Sequence, residues 1–107
     1  MDERVVLPAP GQPMFLVERY WPGVDESTAR ARLADLEQAA RGMTAEGTEV
    51  QHLGSILMPA DQVVFSLIAA ADEAAARQVN ERANVPVDRI ATAVSLPAGS
   101  RLRDQVE

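Results

Sequence analysis

The periodicities of this chain predict an α+β domain of ferredoxin-like order, β-α-β-β-α-β, and three observations carry that prediction. Residues 49–71, EVQHLGSILMPADQVVFSLIAAA, read as two strands joined by a turn. Pro59 presets φ for the turn and Asp61 can bond back to its own backbone. A stretch with helical spacing lies on either side of this hairpin, and strand-like runs close both ends, MFLVERYW at 14–21 and DRIATAVSL at 88–96. In one sheet with right-handed crossovers, this order gives four antiparallel strands with both helices on one face. The first and third strands, the most apolar runs, then sit in the centre.

Taken in order, residues 1–13 carry Pro8, Pro10, Gly11 and Pro13, which forbid helix and favour an extended arm able to drape over a partner subunit. The first strand ends near Trp21, where Pro22 and Gly23 form a type II turn. Asp25 is the N-cap of the first helix, with Glu26 in its first turn and Ala29, Leu33, Leu36, Ala40 and Met43 along one face. Arg30, Arg32, Asp35, Glu37 and Arg41 lie off that stripe as a solvated face, with Glu37 and Arg41 spaced to pair. Gly42 or Gly47 can supply the left-handed residue that ends the helix, Gly47 being favoured because Met43 continues the apolar stripe. After the hairpin, Asp72 caps a second helix whose narrow stripe is Ala75, Val79, Arg82 and Ala83. Asn84 and Pro86 stop it. Ile90, Val94 and Leu96 share one side of the last strand, and 97–107 form a polar tail.

The chain of 107 residues is long enough for a single core, here residues 14–96, and too short for two. Its net charge of −6, with no Lys/Arg run, argues against a nucleic-acid or anionic-membrane partner. The absence of cysteine removes disulfides, thiolate metal sites and thiol nucleophiles. The first residues lack a basic and apolar leader, and the longest apolar run, 63–71, is interrupted by Ser66 and too short to span a bilayer. A cytoplasmic location is the default expectation.

A two-residue loop at Pro59-Ala60 would pair Leu57 with Gln62 and Ile56 with Val63. Val50, His52, Gly54 and Ile56 would then share a face with Val63, Phe65, Leu67 and Ala69, and as the more apolar face it is expected under the helices, with Phe15 and Val17. The opposite face would carry Leu16, Glu18, Tyr20, Leu53, Ser55, Leu57, Val64, Ser66 and Ile68. So apolar a surface is costly to leave in water, since burying each large side chain is worth roughly 1.5–3 kcal/mol. A second copy stacked on it, giving a homodimeric α/β barrel with an inner cavity, is the expected solution.

Glu18 is the foremost candidate on that surface, because a carboxylate inside a central strand must be paired or face a wet cavity. It is either a base, a ligand or an acceptor for a bound molecule, or half of an ion pair with an arginine. Tyr20, Ser55 and Ser66 are the further ligand-binding candidates, Tyr20 alternatively bonding across the dimer. His52, the lone histidine, is the metal-ligand candidate; the bland alternative is a half-buried ring bonded to backbone. No histidine or cysteine stands beside either serine, so no nucleophile is expected. Arg19 and Trp21 are expected to cover the sheet end, the arginine stem packed on apolar surface.

The segments FLVERYWPG, VQHLGSILMPADQVVFSLIAA and NERANVPVDRI together resemble a family of small bacterial ferredoxin-like proteins of unknown function, some of them labelled nickel-binding. The resemblance covers residues 15–96, with Asn84 where glycine would be usual. It implies a dimer and a divalent transition metal such as nickel as cofactor. Three functional expectations follow. The first is a homodimer holding a small molecule or metal ion between its sheets, with Glu18, Tyr20 and Ser66 in the pocket. The second is a cofactor-free enzyme resembling the dimeric α/β-barrel monooxygenases, cyclases and isomerases, with Glu18 or His52 as base. The third is a plain interaction module.

Overall fold

Pairing of β1 with β3 and β4, and of β2 with β3, places every strand in one antiparallel sheet of order β2-β3-β1-β4. These assignments come from a computed structural model that describes residues 12–96. The arm expected over 1–13, but for its last two residues, and the tail expected over 97–107 lie outside the described residues. The elements are β1 (Met14–Tyr20), α1 (Glu26–Ala45), β2 (Val50–Met58), a 3-10 turn (Pro59–Asp61), β3 (Val63–Ala70), α2 (Glu73–Ala83) and β4 (Arg89–Ala93). The ferredoxin-like order is therefore observed, with β1 and β3 central as their apolar content requires.

The helix boundaries follow local chemistry. Asp25 accepts from the Thr28 N–H at 2.8 Å and Asp72 from the Ala75 N–H at 2.9 Å, each satisfying a first-turn donor. Gly47, at φ +106°, completes the exit from α1, where the Thr48 N–H returns to the Met43 carbonyl at 2.9 Å. Asn84, at φ 57°, does the same for α2. Both helices lie on one side of the sheet. Leu36, Ala40 and Met43 of α1 and Ala76, Val79 and Ala83 of α2 close the core over Phe15, Val17, Val50, Ile68 and Ala70. A second cluster of Val24, Ala29 and Val64, flanked by Trp21, Leu33 and Leu57, fills the end near the hairpin.

Several expectations change. Arg82 leaves the buried stripe of α2 and pairs with Glu46 at 2.9 Å, while Ala76 and Asn80 take its place in the interior. β4 stops at Ala93, so Ile90 packs on the core whereas Val94 and Leu96 are exposed. The hairpin is closed by a single 3-10 turn with Gln62 left-handed at φ 57°, pairing Met58 with Val63 and Leu57 with Val64.

The largest change concerns the sides of the sheet. Phe15 pairs with Ile68, Val17 with Ser66 and Arg19 with Val64, and directly opposed residues share a side. Since Phe15 and Val17 are buried under the helices as expected, Val64, Ser66, Ile68 and Ala70 are buried with them. Val63, Phe65 and Leu67 therefore face the open side with Leu16, Glu18 and Tyr20. The more apolar side of β3 is thus not the covered one. The polar Ser66 is tolerated inside because it has partners there, and a satisfied buried hydroxyl costs little.

β2 adds a phase change of its own. The register runs from His52 opposite Ile68 to Gly54 opposite Leu67, so Leu53 is the extra residue of a bulge. Gly54 adopts φ +157° there, a value that side-chain-bearing residues rarely take. Val50 and His52 before the bulge, and Ser55 and Leu57 after it, consequently all face the helices, while Gly54, Ile56 and Met58 face the open side.

Candidate functional site

The sequence-predicted site residues separate onto the two sides of the sheet. Glu18 and Tyr20 lie on the open side, as expected. Glu18 has Arg89 of β4 opposite it and approaches its guanidinium at 3.8 Å, the ion-pair alternative raised from the sequence. Both partners are substantially exposed, and such pairs contribute about 0–1 kcal/mol. Tyr20 is 53% exposed; its backbone N–H donates to the Asp88 carboxylate at 2.6 Å, which fixes the end of β1. Around them the open side presents Leu16, Phe65 and Leu67, half-buried, with Met58 and with Ile56 at 65% exposure. The apolar open surface is real, although Leu57, Val64 and Ile68, expected on it, are under the helices.

Ser55, Ser66 and His52 occupy the covered side, where they join residues that the sequence reading did not group with them. Arg19 Nε donates to Ser66 Oγ at 3.3 Å. Ser66 Oγ lies 2.6 Å from Ser55 Oγ, and Ser55 Oγ lies 2.8 Å from His52 Nε2. His52 Nδ1 lies 3.2 Å from a carboxylate oxygen of Glu37 on α1. An ionised carboxylate only accepts, so Nδ1–H donates to Glu37, whereas Ser66 can accept from Arg19 and still either donate to or accept from Ser55, so the direction of the rest follows the charge of the ring. With the ring neutral and its proton on Nδ1, Ser55 donates to Nε2 and Ser66 donates to Ser55.

Electrostatics agree with that assignment. The His52 side chain is 6% exposed, and burial pulls its pKa below the ordinary histidine value, against the opposing hydrogen bond and charge of Glu37. Arg19 is fully buried, which lowers its pKa to about 10. Its Nη1 donates to the Pro86 carbonyl at 2.8 Å, and its Nη2 has no partner. The expectation that Arg19 covers the sheet end is overturned, since the whole side chain is buried under the helices. Its parity with Phe15 and Val17 was the signal that places it inside. Glu37 bonds to His52 rather than to Arg41.

The expectation of no histidine beside either serine is likewise corrected. His52 and Ser55 are three apart, which in a regular strand puts them on opposite sides; the bulge at Leu53-Gly54 restores them to one side. The pair opens onto the seam between α1 and the hairpin through two grooves. His52 lines one of about 570 Å³ with Glu37, Arg41, Thr44 and Val50. Ser55 lines the other, about 360 Å³, with Ala29, Leu33, Leu57 and Val64.

As a metal centre, this row does not fit nickel. Imidazole is a suitable donor, but both ring nitrogens of His52 are engaged and Glu37 is the one carboxylate at hand. Among the described residues, no three His, Cys, Asp or Glu side chains gather as a metal set. No helix of the described residues is long and apolar enough to cross a membrane.

Comparison with known proteins follows the fold. No curated protein matches this chain. The crystal structure of SCO4226 from Streptomyces coelicolor A3(2) superposes with a TM-score of 0.61 at 22% identity, over 79% of this chain and 99% of that one. At that identity the likeness speaks for the fold. Residues 15–92 match the family described as nickel responsive protein SCO4226-like, covering both helices and nearly all of the sheet, and the chain belongs to that family.

Proposed function

We propose that this protein is a homodimeric binding protein in which the open sheet sides of two copies face each other and enclose a small, largely apolar ligand held by Glu18 and Tyr20. The observation that carries this reading is the open side itself, where Leu16, Phe65, Leu67, Met58 and Ile56 surround a single acid–base pair. Monomeric proteins seldom leave an apolar patch of this kind in water. A two-fold interface apposes the same surface to itself, and a surface carrying one carboxylate and one guanidinium is self-complementary in charge, Glu18 of each copy meeting Arg89 of the other.

Nickel enters through the family's description. The described donors of one chain gather no set for it, so the proposed ligand is organic and the metal is an arm of the test. Native mass spectrometry of the purified protein, with elemental analysis, should report a dimer carrying a small non-covalent adduct. Glu18→Gln should release the adduct and leave the dimer. A monomer at micromolar concentration sinks the proposal, as does stoichiometric nickel that survives Glu18→Gln.

A further inference from the structure

The row of polar groups under the helices has a use beyond holding the fold. From its geometry we infer that Ser55 is a nucleophile, with His52 as its general base and Glu37 as the residue that positions the ring, and that it is acylated by esters of small apolar acids. This site lies on the covered side of the sheet and is independent of the dimer reading.

Three observations support it. The spacing of the parts is that of an acid–imidazole–hydroxyl relay, with Ser55 Oγ 2.8 Å from Nε2 and the Glu37 carboxylate 3.2 Å from Nδ1. The tautomer is the one a general base requires, because burial favours the neutral ring and the bond from Nδ1–H to Glu37 leaves Nε2 to accept the serine proton. The serine also lines a groove formed by Ala29, Leu33, Leu57 and Val64 together with Glu26 and Arg30, and its apolar part suits a short acyl chain.

Behind the serine, Ser66 and the buried Arg19 add a second element. Ser66 donates to Ser55 Oγ, and the guanidinium bonded to Ser66 is a fixed positive charge in a dry interior. Both lower the cost of negative charge on the serine oxygen as its proton leaves, which makes it easier to deprotonate.

The chemistry balances with water as the only co-reactant. Ser55 Oγ forms a bond to the ester carbonyl carbon while its proton passes to His52 Nε2. The carbonyl carbon–alkoxy oxygen bond breaks, and the alcohol leaves with the proton from Nε2. Water, losing a proton to Nε2, then attacks the acyl-serine; the carboxylic acid departs and Ser55 recovers its proton.

The test reads the nucleophile directly, through a phosphonyl-serine that forms with loss of fluoride. The full-length protein is incubated with an alkyl fluorophosphonate, and the intact mass and the modified peptide are followed over time. One adduct on Ser55 is expected, absent in Ser55→Ala. His52→Gln, checked for native circular dichroism, should slow labelling about 100-fold or more, the usual share of a general base. Labelling should rise with pH through the titration of His52, which Glu37 and Arg41 face from α1, with Arg19 acting through the two serines. Glu37→Gln should slow it less, and shift that profile to lower pH by removing a charge that favours the imidazolium. No adduct on the wild-type protein, an adduct elsewhere, or equal rates in wild type and His52→Gln each overturn the inference.

Discussion

His52 is neutral in the folded protein because burial disfavours its charged form more than Glu37 supports it. The unfolded chain binds that proton near the ordinary histidine value, and the folded chain only at lower pH. Between the two, the unfolded state holds more protons, so stability contributed by this residue is complete above about pH 6.5 and is lost as pH falls below it. Urea denaturation midpoints measured from pH 7.5 to 5 should therefore drop more steeply in wild type than in His52→Gln. Parallel curves would show that the ring carries no such linkage. At this scale the sequence was partly legible. Glu18 stands on the open side beside an arginine, one of its two anticipated settings, whereas Arg19 was assigned to the sheet end by its charge although its alternation with Phe15 and Val17 places it inside. Charge suggests exposure; parity in a strand decides it.

Among the elements, the helices were the easier to read and the hairpin the harder. Asp25, Asp72, Gly47 and Asn84 act where they stand in the sequence, because a cap is satisfied by the backbone within a few residues. A strand's side depends instead on partners far along the chain. The turn Pro59–Asp61 and the extra residue Leu53 each alter the pairing of β2 with β3, and neither announces itself in a propensity. Gly54 was the available sign, as a glycine inside a strand run often marks a bulge. Gly54→Ala tests its role. A methyl group meets nothing within 4 Å there, so any cost comes from the backbone at φ +157° and should be about 1–2 kcal/mol in denaturant unfolding. An unchanged stability would mean that the bulge is not held by the glycine. The same variant should weaken the contact of His52 with Ser55, visible as an altered imidazole chemical shift.

At the scale of the molecule, the expected fold and the expected apolar open side are both present, although β3 presents Phe65 and Leu67 to it where Val64 and Ile68 were anticipated. The outcome was legible because β1, β2 and β3 each carry apolar residues on both sides, so oily residues remain on whichever side the helices do not take. Ile56 is the direct probe of what covers that side. At 65% exposure in the single chain it contributes little to the monomer's own core, so Ile56→Glu should leave the fold intact and shift the sedimentation coefficient from that of a dimer to that of a monomer. A charged side chain there that leaves the mass unchanged would count against the proposed pairing of open sides.

The interruption at Leu53 has a further consequence for solubility. β2 is an outer strand of nine residues, long enough to act as a template on which a foreign strand could zip up. A kink within such a strand spoils the even spacing of its outward amide and carbonyl groups, so a neighbour cannot follow it end to end. The residue that brings histidine and serine together thus also blunts the margin at which chains would stack into fibrils.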